Sequence, residues 1–242
     1  MTLVLLLILS GRMSAGGQPP PKNATTSVAR LPARIAADFR RLGTKTPLLT
    51  LAAGGAAAAA AHPADAVVVR RIGSSGLNRG IFDVGAEAGD GFVQSGAAAA
   101  VYAIGLASGS PRTQAVGSAL LESQVVEGVI AQGLKYTVPR KRPDGGHYSF
   151  PSGHASATFA TADVLMQQFG WKAGLPAYAG AVWIAVSRVA QRQHYLSDVI
   201  AGAAIGVASA RAVDVHAGRQ HVAAVPLAIP HGAAILLVVS AR

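Results

Sequence analysis

Between Ala29 and Leu42, apolar Leu31, Ile35, Ala36 and Phe39 are interleaved with Arg30, Arg34, Arg40 and Arg41, a spacing that predicts a basic amphipathic helix. Pro32 suits the first turn of such a helix, where its missing N–H costs nothing. The helix either packs its apolar side on the rest of the domain or lies on an anionic membrane surface. Leu48–Ala61 is an alanine run, and Gly91–Pro111 carries no charge. The second stretch is about 20 residues, nominally enough for a hydrocarbon core of ~30 Å. It is built of Ala, Gly, Ser and Gln94 rather than Leu, Ile and Phe, so insertion is weakly driven. Thr113–Val138 predicts a helix whose interior positions Glu122 and Glu127 argue against lipid exposure. Ala173–Val186 and Val199–Ala210 predict helices shorter than a bilayer needs.

The ends of the chain read differently. Met1–Ser10 is a short leucine-rich run, long enough for the apolar part of a secretory signal and too short to span, with small residues at Ser14, Ala15 and Gly16. No Lys or Arg precedes it, although a secretory signal ordinarily begins with one. Pro19, Pro20 and Pro21 mark an extended linker. His221–Ala241 is a last apolar run interrupted by Pro226, Pro230 and His231. Together these features predict an extracytoplasmic helical domain in the cell envelope, tethered at most by its N-terminal region, with membrane association or integration as the alternative.

Composition sharpens the fold class. The 242 residues are 51% hydrophobic but only 5% aromatic, a mixture that suits closely packed helices and suits a β-sandwich poorly. An all-α helical bundle is the expectation. The net charge of +10 favours anionic partners: a phosphorylated small molecule or lipid, or an anionic membrane surface. No zinc-finger spacing, RNA-binding strand motif or basic zipper is present, so nucleic acid is not expected. The absence of cysteine rules out disulfides and cysteine-ligated metal.

Three short polar segments interrupt the apolar pattern. Ser187-Arg188 is followed after five residues by His194 and after three more by Asp198. At a separation of four, His194 and Asp198 share a face if they share a helix, and the carboxylate can then fix the imidazole tautomer. Arg188, across a turn of Gln191, Arg192 and Gln193, suits bidentate binding of a tetrahedral anion. In Phe150-Pro151-Ser152-Gly153-His154, Ser152 marks a helix start and Gly153 leaves room at the backbone. Exposed N–H groups and the helix dipole there make an anion site, with His154 placed to give a proton to a leaving oxygen. Lys135 and Arg142-Pro143 add two cations after a long helix. With Arg188 they can neutralise a phosphoryl group without metal. Arg140 and Lys141 are read as helix-end cations or as contacts to the rest of an anionic substrate. Taken singly, each segment also fits a surface ion pair, a serine-capped helix or a basic helix end. Only His194 has a carboxylate at helical spacing, which favours it over His154 as the attacking group.

The ordered triple resembles the phosphatidic acid phosphatase type 2 superfamily, whose signature is Lys, six residues, Arg-Pro; Pro-Ser-Gly-His; and Ser-Arg, five residues, His, three residues, Asp. The resemblance implies a helical-bundle fold and a two-step, cofactor-free and metal-free reaction. In it His194 is the nucleophile, Asp198 orients it and His154 protonates the leaving group. Lys135, Arg142, Arg188, Ser152 and the Gly153 amide hold the phosphoryl oxygens. Phosphate monoesters and lipid phosphates or diphosphates are the implied substrates. The same superfamily holds vanadium-dependent haloperoxidases, and a non-catalytic membrane or scaffold member is a further alternative. The expected organisation is a signal or anchor at 1–15, a linker at 16–28, a helical region at 29–84, the superfamily core at 85–215 and an apolar tail at 216–242.

Overall fold

The computed structural model describes residues 7–8, 28–73, 79–213, 221–229 and 232–240. The expected signal or anchor and the linker fall, apart from residues 7–8 and 28, outside them. The described residues form nine α-helices: α1 (Leu31–Arg41), α2 (Lys45–Ala61), α3 (Asp65–Gly73), α4 (Arg79–Ala88), α5 (Gly91–Ala107), α6 (Pro111–Thr137), α7 (Gly153–Phe169), α8 (Trp171–Ala190) and α9 (Leu196–Ala212). The expected all-α bundle is therefore the body of the molecule. A small sheet lies beside it: β2 (His221–Ile229) pairs antiparallel with β3 (Gly232–Ser240), and β1 (Leu7–Ile8) runs parallel to β3. The apolar tail thus contains a hairpin. Its valines and isoleucines favour strands, and Pro226 sits on an edge strand, where a missing N–H is tolerated.

Helix starts follow local chemistry. Asp90 caps α5 by accepting from the Phe92 N–H at 2.8 Å. Ser110 caps α6 through Thr113 N–H at 3.3 Å, with Pro111 in the first turn. Gly170, at φ 76°, closes α7 and lets α8 begin at the next residue.

Helix α7 packs against α6, α8 and α9, and α9 in turn against α2. Small residues set these spacings. A Cβ added at Gly206 would lie 2.1 Å from the Ser156 carbonyl oxygen, and one at Gly202 would lie 2.4 Å from that of Ser152. The two helices therefore touch backbone to backbone. Around them, Val116, Ala119, Leu120, Val164 and Ala210 form one apolar cluster, and Val69, Ala155, Ala185, Val189 and Val199 a second.

Helix α1 packs on the domain rather than standing apart. Asp38 is fully buried and accepts from Arg41 at 2.9 Å, while Arg34 pairs with buried Glu122 of α6 at 3.0 Å. Burial, and then the Glu122 carboxylate, push Asp38 up to about 7. Glu122 and Glu127 both face the protein interior. They therefore leave the opposite side of α6 free to be apolar, and Val125 and Val129 are exposed there.

Apolar surface also points outward from α2 (Leu48, Leu49), α5 (Phe92, Val93, Ile104, Leu106) and α8 (Trp171, Leu175, Val182, Val186). Helix α8 is longer than the sequence predicted. Twenty residues at a mean hydropathy of 1.2 make it, by length and composition, the one described helix able to cross a membrane, with 44% of that window buried. The extension arises because Gly170 starts it early and the Ser187–Ala190 turn continues it. Helix α5, at 17 residues, is shorter than the charge-free run suggested, because Ser108 and Gly109 end it.

The Gly206 contact yields a paired test. Gly206→Ala should lower stability by about 1–3 kcal/mol by forcing α7 and α9 apart. Gly96→Ala, where nothing lies within 4 Å, should gain up to ~1 kcal/mol from helix propensity. Denaturation midpoints of the two variants check the contrast.

Candidate functional site

The α6–α7 loop and the α8–α9 loop meet at one end of the bundle. Ser152 N–H donates to the Asp198 carbonyl at 3.0 Å, and Asp144 N–H to that of Arg192 at 3.1 Å. Gln193 bridges the loops further, donating to Asp144 at 2.8 Å and accepting from Arg142 at 2.5 Å. Tyr148 (φ 61°) and Arg192 (φ 59°), one in each loop, adopt the left-handed conformation that non-glycine residues rarely take. The surrounding bonds hold them there.

All eight residues singled out from the sequence come from these two loops and the helix turns that flank them. Lys135, in the last turn of α6, donates to the Tyr148 and Pro151 carbonyls at 3.0 and 2.9 Å. Burial first, and the Arg142 guanidinium second, push its ammonium down to about 8, against the pull of Asp198. Arg188, 8% exposed, donates through one terminal nitrogen to Gln191 at 2.7 Å. The Nε atoms of Arg142 and Arg188 are both buried with no acceptor among the described residues. An unmet buried donor on a charged group costs about 1–3 kcal/mol or more, so the pair is poised for an anion.

Ser152 begins α7 as expected, its hydroxyl accepting from Ala155 N–H at 3.4 Å. Beside it, a Cβ at Gly153 would meet nothing nearer than Lys135 Cε at 3.9 Å, so space is open at the helix N-terminus. His154, in the first turn, places Nε2 2.9 Å from the Ala86 carbonyl of α4. A carbonyl only accepts, so Nε2 carries the proton. Burial, then the Arg188 guanidinium and His194, push its pKa down to about 4.

His194 differs from the shared-helix expectation. Helix α9 starts at Leu196 with Tyr195 as its cap, so His194 lies in the loop ahead of it. Its Nδ1 is 2.7 Å from the Ser149 carbonyl oxygen and 3.9 Å from Asp198 Oδ2. The nearer acceptor puts the proton on Nδ1 and leaves the Nε2 lone pair free. Asp198 instead accepts from Tyr195 N–H at 2.8 Å, capping α9, and from the Ser149 hydroxyl at 2.5 Å. Burial pushes His194 down, Asp198 pulls it up, and Lys135 and Arg142 push it down again.

Ser149, Gln191 and Gln193 were not anticipated. Ser149 adjoins the second polar segment and the two glutamines flank Arg192, but nothing in their spacing marks them. Arg140, expected as a helix-end cation or substrate contact, is turned inward onto carboxylates. Helix α6 ends at Thr137, before it.

The family model described as PAP2 superfamily matches residues 116–219. A lipid A 1-phosphatase of Porphyromonas gingivalis is 34% identical over 99 residues, 39% of this chain and 21% of that protein. A lipid A 4'-phosphatase of Helicobacter pylori is 32% identical over 102 residues, 37% of this chain and 51% of that one. The chain thus spans about half or less of the length of these relatives. Among solved structures, that of Aquifex aeolicus LpxE has a TM-score of 0.49 and 22% identity, covering 61% of this chain and 92% of that chain.

The depressed histidines fix a pH response. Folded His154 stays neutral down to about pH 4, whereas the unfolded chain binds that proton from about pH 6.5. The unfolded state therefore takes up more protons in that window, and stability falls as pH falls through it. His154→Gln should flatten the slope of thermal midpoint against pH between about 6.5 and 4, leaving the share due to His194. A slope as steep as that of the unsubstituted protein would discount the assignment.

Proposed function

We propose that the chain, whose residues 116–219 match the PAP2 superfamily model, belongs to that superfamily and is a membrane-bound phosphatase of phosphorylated lipids working through a phosphohistidine on His194. The observation that carries the proposal is the imidazole of His194. Its Nδ1 is bound to a carbonyl, its Nε2 is left unprotonated, and Arg142 and Arg188, each with a buried Nε that has no acceptor among the described residues, flank the same pair of loops.

In the first step His194 Nε2 forms a bond to phosphorus as the ester P–O bond breaks. His154 gives its proton to the departing oxygen. Lys135, Arg142, Arg188 and the N–H groups at the start of α7, Gly153 among them, balance the charge on the equatorial oxygens. Ser152 holds that helix start in place. Burial does most to keep His154 neutral and the Arg188 charge adds to it; the arriving dianion offsets that second contribution and so favours the protonated acid. In the second step water attacks phosphorus, His154 takes its proton, and the P–N bond breaks to give inorganic phosphate. No metal is needed where three cations and a helix N-terminus supply the charge.

Two further observations favour a lipid substrate. The relatives are named lipid A phosphatases, and α2, α5 and α8 turn uncovered Leu, Ile, Val, Phe and Trp side chains outward, a surface suited to acyl chains. We propose that the molecule sits in the cell envelope with these faces in the bilayer and its site on the extracytoplasmic side.

His194→Ala should lower phosphate release from a lipid phosphomonoester more than about a thousandfold. Rapid quenching with labelled substrate should trap acid-labile label on the unsubstituted protein and none on the variant. Activity should survive excess chelator and be inhibited by vanadate. Full turnover in His194→Ala, or a loss on chelation restored by Mg²⁺, would sink the mechanism. Because the apolar faces lie beyond residue 23, a chain lacking residues 1–23 should still pellet with membranes after a carbonate wash. Release into the supernatant would overturn the membrane assignment.

A further inference from the structure

We infer that Arg140 is a positioning residue for His194, clamped by Asp65 of the N-terminal region and acting through Asp198 and Ser149. The inference rests on the phosphohistidine reading above.

Arg140 lies between two carboxylates. One terminal nitrogen donates to Asp198 Oδ1 and to the Ser197 hydroxyl at 2.8 Å. The other reaches Asp65 Oδ2 at 2.6 Å and lies 3.2 Å from His62 Nδ1. The guanidinium carbon stacks 4.3 Å from the centre of the Tyr195 ring, the residue next to the nucleophile. A planar fork held on two edges and one face has little freedom.

Asp65, 4% exposed, is the anchor. It accepts from the Ser197 N–H at 2.9 Å and the Ser197 hydroxyl at 2.6 Å, capping α9 from outside the helix. Burial works against its charge, but the bonds from Ser197, then Arg140 and His62, outweigh it and hold the carboxyl below its ordinary range. From Arg140 the chain of bonds continues inward. Asp198 Oδ2 accepts from the Ser149 hydroxyl, and the carbonyl of that serine accepts from His194 Nδ1. Ser149 N–H donates to the Arg140 carbonyl at 2.9 Å, closing a ring. Asp198, Ser149 and His194 are 0, 0 and 2% exposed, so the inner end of this chain of bonds is closed to solvent. His194 is therefore braced from residues 65 and 140, and Asp65 lies outside the segment that matches the superfamily.

The test uses the full chain in its membrane or in detergent, with a lipid phosphomonoester and with p-nitrophenyl phosphate. Arg140→Gln should lower kcat about 10- to 100-fold with KM changed less than about twofold. Removing this cation leaves the charge of Asp198 opposed near His194 only by Lys135 and Arg142, with Arg188 next to His154. The acid limb of kcat/KM should accordingly move to higher pH. Arg140→Lys, keeping charge but not the fork, should recover part of the loss. Asp65→Asn keeps one acceptor for Ser197 and loses the charge, and should give a smaller fall, about 3- to 10-fold, with the acid limb moved to lower pH because an anion rather than a cation is removed. Unchanged kcat and pH profile in Arg140→Gln and Asp65→Asn would overturn the inference, as would a rise in KM alone, which marks a substrate contact. If Arg140→Gln fails to fold, Asp65→Asn decides on the same readouts. If the unsubstituted protein hydrolyses neither substrate, the phosphatase reading fails instead. The brace is then read from ¹⁵N-histidine NMR, with the His194 signal assigned by its loss in His194→Gln. An Nδ1-protonated ring that becomes a tautomer mixture in Asp65→Asn supports the brace, and an unchanged ring refutes it.

Discussion

Backbone contact between α7 and α9 is the constraint on which the site depends. Gly202 and Gly206 allow the carbonyls of Ser152 and Ser156 to approach to distances no side chain permits. That approach puts the start of α7 beside the start of α9, where Ser152 N–H meets the Asp198 carbonyl. Two helix N-termini then face the same small region, each with a partial positive charge from its free N–H groups. One is held by a serine cap and the other by Asp198 together with Asp65, so only the first is left open to a ligand. The spacing of two glycines on one helix thus decides which terminus faces solvent chemistry and which is structural.

The electrostatics follow the same division. Asp65 and Asp198 share the single cation Arg140, and the negative charge left over is met by N–H and O–H donors of Ser149, Tyr195 and Ser197, a hydrogen-bonded form in which buried charge is tolerable. Lys135, Arg142 and Arg188 have no carboxylate partner of that kind. Glutamine and carbonyl oxygens hold their outer nitrogens while two guanidinium Nε atoms stay unmet. Glutamine is well suited to this task, since it orients a guanidinium without cancelling its charge. The excess positive charge of the chain is partly this local surplus, concentrated at the two loops.

Much of the fold and the site was legible in the sequence, because both are written in local signals. Ser152 and Ser110 announced helix starts, alanine and glycine announced close helices, and the polar segments stood out against an apolar background. The unread parts depend on contacts distant in sequence. Nothing near Asp65 or Arg140 shows that they meet, since 75 residues separate them. The partner of His194 was inferred from helical spacing, but the helix begins two residues later than that spacing assumed, and a backbone carbonyl, which has no sequence signature, took the nearer position. Glu122 and Glu127 were read as a bar to lipid contact because composition does not say which way a side chain points. Both face inward, one of them onto Arg34.

Every side chain of the site comes from the same pole of the bundle: the end of α6, the start of α7, the end of α8 and the approach to α9. The opposite pole carries different chemistry, with Tyr178 and Arg211 gathered on Asp163. For a protein seated among lipids this makes sidedness a property of topology rather than of regulation. On the proposed lipid-phosphatase reading, headgroups of a single leaflet reach the two loops, phosphate is discharged into a single compartment, and a substrate in the other leaflet has first to be flipped across.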